Sequence, residues 1–314
     1  MFENHIGYQN MLRENHLSFG LTIPIENYDN ETPTMKHQVE RAQLAEELGF
    51  HALWLQDVVL EDPTFEDPAT GQIFDSLIYL TYLASHTSKI QLGTAALVMP
   101  LRHPLRTAKE LASIERLFPE RILLGISSGD RRKDFEGLGI PIMERSEWFR
   151  KAFDYFKHAL YSEYPEVESD FGKLHKSNLV PKPTSRIPTF MTGYCQQTLD
   201  WVAEHGDGWM FYPQRPEQQE KTIREYREKV KKYHGNVFRP FFMPLPLEVT
   251  ENPDQEAEKI PAGYRIGRKP LINLLENYRS IGVNHIMLGL SKNKRPVTEI
   301  MQELGEEVLP HFSF

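Results

Sequence analysis

The chain has 314 residues, of which 40% are hydrophobic and 25% charged, and its formal net charge is −8. This composition suits a soluble globular protein acting on a small-molecule substrate and argues against nonspecific nucleic-acid binding, which needs a basic face. A single cysteine, Cys195, excludes an intramolecular disulfide and a cysteine-built zinc cage, and it points to a reducing, cytoplasmic setting.

Residues 1–16 lack the basic end and apolar run of a signal peptide and are read as an N-terminal extension. No segment approaches the roughly 18 apolar residues of a membrane span, so no membrane association is expected. Beyond the extension, apolar runs alternate with helical patterns. Strands are predicted near 17–24, 51–56, 90–97, 121–127, 187–192, 208–212, 239–249 and 284–290. Helices are predicted near 34–48, 73–86, 104–117, 143–161, 195–205, 215–234, 268–281 and 296–308. Three helix-to-strand transfers pass through a glycine (Gly49, Gly206, Gly282), which can close a helix in the left-handed conformation. A fourth uses Pro119 as the stop. Such alternation implies a parallel sheet, and eight repeats favour an α/β fold closed as a (β/α)8 TIM barrel, in one domain over 1–314. An open doubly wound sheet is the alternative.

Two segments exceed a bare barrel: an acidic loop at 57–72 and an insertion at 163–186. Loops this long in a compact domain serve as lids or binding loops, or are plain excursions; here they are expected at the carboxyl-terminal face. Small residues end two neighbouring strands, Thr94-Ala95-Ala96 and Ser127-Ser128-Gly129. They leave room for a flat ligand where barrels and open α/β sheets place theirs.

Gly125-Ile126-Ser127-Ser128-Gly129 matches the G-x-S-x-G nucleophile elbow. An elbow needs a helix directly after its serine, whereas Asp130–Asp134 reads as loop, so the serines are read as lining. Gly193-Tyr194-Cys195-Gln196 and Thr198 form either an anion cradle of backbone amides with a helix start or an ordinary βα turn. His103 precedes Pro104 where the third strand turns into a helix; it is a cap or a ligand-facing group. His285 reads as structural, and Trp54 as core or pocket wall. There is no HExxH, no clustered His/Asp/Glu triad, no G-x-G-x-x-G opening a βα unit and no P-loop; no metal site is expected.

LGTAALVMPLRHPLRTAKELASIERL (92–117), RILLGISSGDRRKDFEGLG (121–139) and IPTFMTGYCQQTLDWVAEHGDGW (187–209) closely resemble the bacterial-luciferase-like flavin monooxygenases. AEELGFHALWLQD early and GRKPLINLLENYRSIGVNHIMLGL late extend the resemblance from about Ser18 to Leu309. It implies a (β/α)8 barrel, usually a homodimer, binding reduced FMN supplied by a separate flavin reductase, or coenzyme F420 in one branch. The flavin ring would lie against Thr94, Ala95 and Ala96, with a non-proline cis peptide expected at Ala95–Ala96. Ser127 and Ser128 would lie near the ring and ribityl chain, and the phosphate on Gly193, Tyr194, Cys195, Gln196 and Thr198. The implied activity is a two-component monooxygenase acting on a small organic molecule; an F420-dependent dehydrogenase or reductase and a non-catalytic flavin-binding protein are the alternatives.

The sequence also departs from the pattern. Asp57 stands where the luciferases carry a catalytic histidine, and a carboxylate cannot reproduce imidazole chemistry near neutral pH. Ser127 replaces their cysteine near the flavin, and Ser128 their phosphate-holding arginine, for which Arg102, Arg106, Arg131 or Arg132 would compensate. Asp57 and His103 are the expected acid–base or polar catalytic groups, with 163–186 as lid.

Overall fold

The computed structural model describes residues 2, 5–28, 32–62 and 74–312. Most of the 57–72 loop, from 63 onward, lies outside the described residues, as does the start of the helix expected from 73. The strands are β1 (Ser18–Thr22), β2 (Ala52–Leu55), β3 (Gln91–Val98), β4 (Ile122–Ser127), β5 (Val167–Ser169), β6 (Gly172–Leu174), β7 (Thr189–Thr192), β8 (Gly208–Met210), β9 (Phe241–Val249), β10 (Glu258–Ile260), β11 (Gly263–Ile266) and β12 (His285–Gly289). The helices are α1 (Ile6–Met11), α2 (Gln38–Glu47), α3 (Ser76–His86), α4 (Pro104–Leu117), α5 (Arg132–Gly137), α6 (Arg145–Tyr161), α7 (Leu199–His205), α8 (Pro216–His234), α9 (Arg268–Ser280) and α10 (Val297–Glu303).

Parallel strands run in the order β9-β12-β1-β2-β3-β4-β7-β8, and β8 pairs back onto β9. The sheet is therefore a closed eight-stranded barrel, each strand matching one expected from sequence. Apolar side chains fill both of its faces. One cluster joins the strands to the surrounding helices, and a second fills the interior around Trp54, Leu123, Phe190, Met210, Phe242 and Met287. The N-terminal extension belongs to the fold: Phe2, Tyr8, Met11 and Leu12 join the interior cluster. His5 caps α1 by accepting the Tyr8 amide at 3.0 Å.

Gly49 and Gly282 close their helices with φ of +84° and +98°. Gly206 differs from expectation, having φ −84°. Space requires it instead, because a Cβ there would meet Met191 Cγ at 2.8 Å. Four short elements escaped the sequence reading: α1, α5 shortly after Gly129, and the hairpins β5–β6 and β10–β11, whose strands are mostly of three residues.

Trp54 is fully buried inside the barrel rather than walling a pocket. Its ring fits because Gly93 faces it; a Cβ there would lie 2.3 Å from the indole. Its Nε1–H donates to His285 Nε2 at 2.8 Å, so the imidazole proton sits on Nδ1, 2.7 Å from Ser18 Oγ. Ser18 in turn donates to the Asn284 carbonyl at 3.2 Å. Burial, with a smaller contribution from His51, drives the His285 pKa well below its ordinary value, and burial likewise lowers His51. Both rings are neutral when folded and charge on unfolding below about pH 6.5. Their contribution is thus fully present above that pH and is lost as pH falls. His285 alone removes about 1.4 kcal/mol per pH unit below that point, and His51 adds in the same direction, so urea unfolding at pH 5.5 should read at least about 1 kcal/mol less stability than at pH 7.5. A flat profile across that window would sink this assignment.

Candidate active face at the carboxyl ends of the strands

The third strand breaks its register where the small residues begin. Thr94 pairs with Leu124 and Leu97 with Ile126, so three steps along β3 oppose two along β4. This is a β-bulge, and the Ala95–Ala96 peptide within it is cis. Both alanines are half-buried, as is Ser127 on β4, while Ser128 is buried. Thr94 Oγ1 donates to the Gly125 carbonyl at 2.7 Å and ties the bulged strand to its neighbour. The result is a floor of small side chains across two adjacent strand ends. The serines belong to that floor. Although α5 follows the G-x-S-x-G segment, contrary to the loop expected there, it begins only at Arg132, too late to form an elbow around Ser127.

Asp57, just past β2, is 7% exposed. Its Oδ1 accepts from Ser76 Oγ at 2.8 Å and Arg102 Nη2 at 2.7 Å. Its Oδ2 accepts from Arg102 Nε at 3.2 Å and the Val98 amide at 3.0 Å. Four donors thus occupy both oxygens, and the fork-to-fork pair with Arg102 fixes their plane. Arg102 also reaches Asp75 Oδ2 at 2.7 Å. Asp75 is the cap of α3, accepting the Leu77 and Ile78 amides at 3.0 and 3.1 Å. Burial alone would lower the Arg102 pKa; the two carboxylates outweigh it and hold the guanidinium above its ordinary value. Burial would raise Asp75, but the Ile78 amide, Arg102 and the Leu77 amide hold it low. The network joins the ends of β2 and β3 to the start of α3. Sequence reasoning singled out Asp57 and named Arg102 as a phosphate partner, but did not join them.

His103 makes the cap that its position before Pro104 suggests: Nδ1 accepts the Leu105 amide at 3.3 Å. Its Nε2 is then the donor, 2.9 Å from the Phe171 carbonyl. The ring also meets those of Phe171 and Tyr155 edge-on. His103 therefore ties the tip of the β5–β6 hairpin to the rim, with no hydrogen bond to Asp57. The 163–186 insertion lies along α4 and α6: Trp148 packs on Phe171, Lys151 pairs with Asp170, and the Thr184 and Ser185 amides donate to Glu115. These contacts fix the insertion, expected as a lid, against α4, α6 and, through Phe171, the rim at His103.

In the turn after β7, Gly193, Cys195 and Gln196 have φ of +60°, +51° and +56°. The Gly193 amide donates to the Met210 carbonyl and the Gln197 amide to the Tyr194 carbonyl, each at 2.8 Å. The amides of Tyr194, Cys195 and Gln196 between them have no protein acceptor among the described residues. Gln197 braces the turn through the Cys195 carbonyl and Ser146. The Cys195 side chain points inward, its thiol lying 3.4 Å from the Thr192 carbonyl and 3.5 Å from that of Ile126. Burial pushes its pKa up to about 12, so it is a protonated packing group. Thr198 Oγ1 accepts the Trp201 amide at 3.2 Å and keeps its own hydrogen to donate. α7 starts at Leu199, later than expected, so Gly193–Gln196 form a turn ahead of the helix rather than its first turn. Arg102 is committed to its carboxylates, and Arg131 is buried with Nη2 on the Leu60 carbonyl at 3.2 Å. Arg106 and Arg132 are exposed. Among the described residues, no group of three His, Cys, Asp or Glu side chains is placed to hold a metal ion, and no helix is long and apolar enough to cross a membrane.

These features define a closed (β/α)8-barrel protein with a small-residue floor at the carboxyl ends of β3 and β4. Residues 17–290 match the luciferase-like monooxygenases, and the chain belongs to that family. It is 27% identical over 179 residues to the alkanal monooxygenase alpha chain of Photorhabdus luminescens, a match covering 56% of this chain and 48% of that protein. The chain thus spans about half the length of the curated relatives it matches. Among solved structures, an F420-dependent secondary alcohol dehydrogenase bound to an F420–acetone adduct superimposes with TM-score 0.76 at 17% identity, covering 93% of this chain and 98% of that one. The oxygenating constituent of 3,6-diketocamphane monooxygenase from Pseudomonas putida, bound to FMN, gives TM-score 0.70 at 12% identity, covering 94% and 98%. At these identities the structural likeness establishes the fold.

Proposed function

We propose that this protein is a flavin-dependent oxidoreductase, a two-component monooxygenase that takes reduced FMN from a separate reductase and oxidises a small organic substrate. The observation that carries it is the sequence of features across three consecutive barrel strands. A small-residue bulge on β3 and Ser127-Ser128 at the end of β4 leave a flat space, and three amides with no protein acceptor among the described residues follow β7. That order suits a planar ring at one end and an anion at the other, so these residues fit FMN. Bound and reduced, FMN supplies the electrons with which dioxygen is activated.

The protein's own contribution is binding, orientation and exclusion. Thr94, Ala95, Ala96, Ser127 and Ser128 would seat the ring. The Tyr194, Cys195 and Gln196 amides and the Thr198 hydroxyl would donate to the phosphate, with Gly193 shaping the turn. With both oxygens already bonded, Asp57 is assigned a positioning role, holding the Val98 amide and so the strand that carries the floor. His103, likewise bonded at both nitrogens, is assigned to bracing the rim.

Anaerobic titration with reduced FMN and with reduced F420, followed by admission of oxygen, tests the reading. The expected result is saturable binding of reduced FMN and oxygen uptake dependent on it. Tight F420 binding without oxygen uptake would instead make the protein an F420-dependent dehydrogenase, the reading favoured by the F420 enzymes among its relatives. FMN binding without turnover on any substrate panel would leave a flavin carrier.

The resemblance also predicts a homodimer. Ile78, 73% exposed, and Tyr82, 48% exposed, stand one turn apart on α3 and offer apolar surface for it. Ile78→Glu is expected to convert a dimer to a monomer in light scattering coupled to gel filtration. A wild-type monomer would refute the dimer, and a dimer unaffected by the substitution would move its interface elsewhere.

A further inference from the structure

The rim opposite the small-residue floor carries a glycine that the fold does not need. In the closed order β9-β12-β1-β2-β3-β4-β7-β8, the β9–β12 pair stands four places from the β3–β4 pair, directly across a ring of eight. Alternation along each strand fixes what is presented there. Phe242 and Met287 belong to the interior cluster, so Pro244, Pro246 and Gly289 point to the same inner face, nearer the mouth. All three are half-buried, as is Thr22 on the adjoining β1.

The other glycines of the barrel strands are there because nothing larger fits. A Cβ at Gly20 would meet Trp54 Nε1 at 2.7 Å, one at Gly93 the indole at 2.3 Å, one at Gly125 the Thr94 carbonyl at 2.1 Å, and one at Gly208 the Phe190 ring at 2.8 Å. At Gly289 the nearest atoms are Pro246 Cα and Thr22 Oγ1, both at 3.5 Å, an ordinary contact. Its φ is not left-handed either. A strand glycine that neither packing nor backbone requires marks a place where a ligand comes close to the chain.

The neighbouring groups define the chemistry of that ligand. The Pro240 and Phe242 carbonyls accept from the Trp209 and Phe211 amides at 3.0 Å each, so the even-numbered backbone groups of β9 face β8. Pairing with β8 ends at Met210–Phe242. An N–H at 244 would face the seam beyond it; proline has none to leave unpaired and supplies an apolar ring instead. Thr22 adds a hydroxyl, held only by a 3.4 Å bond to the Leu288 carbonyl. Glu248, the one carboxylate of β9, is met by Arg265 Nε at 3.4 Å and Lys294 Nζ at 4.0 Å. Such a wall suits a compact, uncharged group with an acceptor for one hydroxyl.

Resting on the flavin reading above, we propose that Thr22, Pro244, Pro246 and Gly289 form the seat of an uncharged substrate facing the flavin ring across the barrel. The side chain missing at 289 sets the size of the molecule admitted.

Cyclohexanone is the probe, with cyclohexanecarboxylate as its charged counterpart, each titrated by ligand-observed NMR on the full-length protein loaded anaerobically with reduced FMN. The wild type is expected to prefer the ketone by about tenfold. Gly289→Leu is expected to weaken the ketone about tenfold or more while reduced-FMN affinity stays within about twofold, because the ring is seated on the far strands. Gly289→Cys, alkylated after folding with N-ethylmaleimide, adds the bulk without asking the chain to fold around it and should have the same effect. Cys195, buried with its pKa pushed up to about 12, stays unlabelled. No saturable ketone binding, a ketone affinity unmoved by the added bulk, a Gly289→Cys variant that resists alkylation, a matching fall in flavin affinity, or preference for the carboxylate would each overturn the seat. A wild type that takes up no reduced FMN would remove the flavin reading and the seat with it, and that titration, made before any variant, tells the two failures apart.

Discussion

Alanine at Gly125 is expected to destabilise the protein by about 3 kcal/mol, the upper end of what overpacking costs, and to abolish flavin binding. The added Cβ would lie 2.1 Å from the Thr94 carbonyl oxygen and 2.9 Å from Met210 Sδ. Methionine can swing away; a backbone carbonyl in the middle of a barrel strand cannot. Thr94 is also the residue at which β3 leaves register, and its hydroxyl already bonds the Gly125 carbonyl at 2.7 Å. The clash therefore falls on the hinge of the bulge, and relief requires moving Ala95 and Ala96, the proposed floor. Gly289, also at a strand's carboxyl end, is the control: a Cβ there meets nothing closer than 3.5 Å, so alanine should change stability by less than about 0.5 kcal/mol. Thermal unfolding and reduced-FMN titration of the two variants test this. Equal stability of the two would remove the steric account of the bulge.

The same residue shows what the sequence made legible. In G-x-S-x-G the serines drew the chemical reading, and the first glycine looked like part of a motif; the structure gives it a steric reason that only the packed barrel creates. The barrel itself was readable because its signal is local. Each strand is an apolar run, and most are preceded by a helix that a glycine or proline ends within a few residues. Residues 258–266 and 167–174 were missed because each is a hairpin paired over only three or so residues, with few buried side chains (Ile266 and Leu174) and no apolar run to announce it. α1 was missed for a related reason: only Gly7, Tyr8 and Met11 are buried along it, too few for a periodic signal.

Site chemistry was legible where backbone decides it and illegible where distant side chains meet. Small residues and a glycine turn mark the floor and the cradle in the sequence. Cys195 did not disclose that its thiol turns inward, since that depends on the left-handed φ at its own position. Arg102 meets Asp57 across 45 positions of sequence, and the Val98 amide does so across 41. Such contacts arise from closing the sheet and leave no spacing pattern to read.

Asp57→Asn separates the two roles that this residue can have. As a positioning group, Asp57 holds Arg102, Ser76 and the Val98 amide through four acceptor contacts. Asparagine keeps the shape but turns one acceptor into a donor. Placed toward Val98, the new amide faces an N–H; placed toward Arg102, it faces a guanidinium nitrogen. Either way a buried donor loses its partner and half of the fork is gone. Breaking a buried ion pair costs about 3–5 kcal/mol, and Asp75, which retains Arg102, keeps the expected loss near the lower figure, about 3 kcal/mol. The melting temperature and reduced-FMN affinity should fall together, since the strand freed at Val98 carries the floor. Asp57→Glu should also fail to rescue, because the longer side chain cannot meet all four donors in the same plane. An acid–base role predicts the opposite pattern. The asparagine variant would then melt like the wild type and bind flavin normally, yet turn over far more slowly, with the acidic limb of its pH–rate profile gone. Unfolding, flavin titration and that profile, measured on the same preparations, decide between the two.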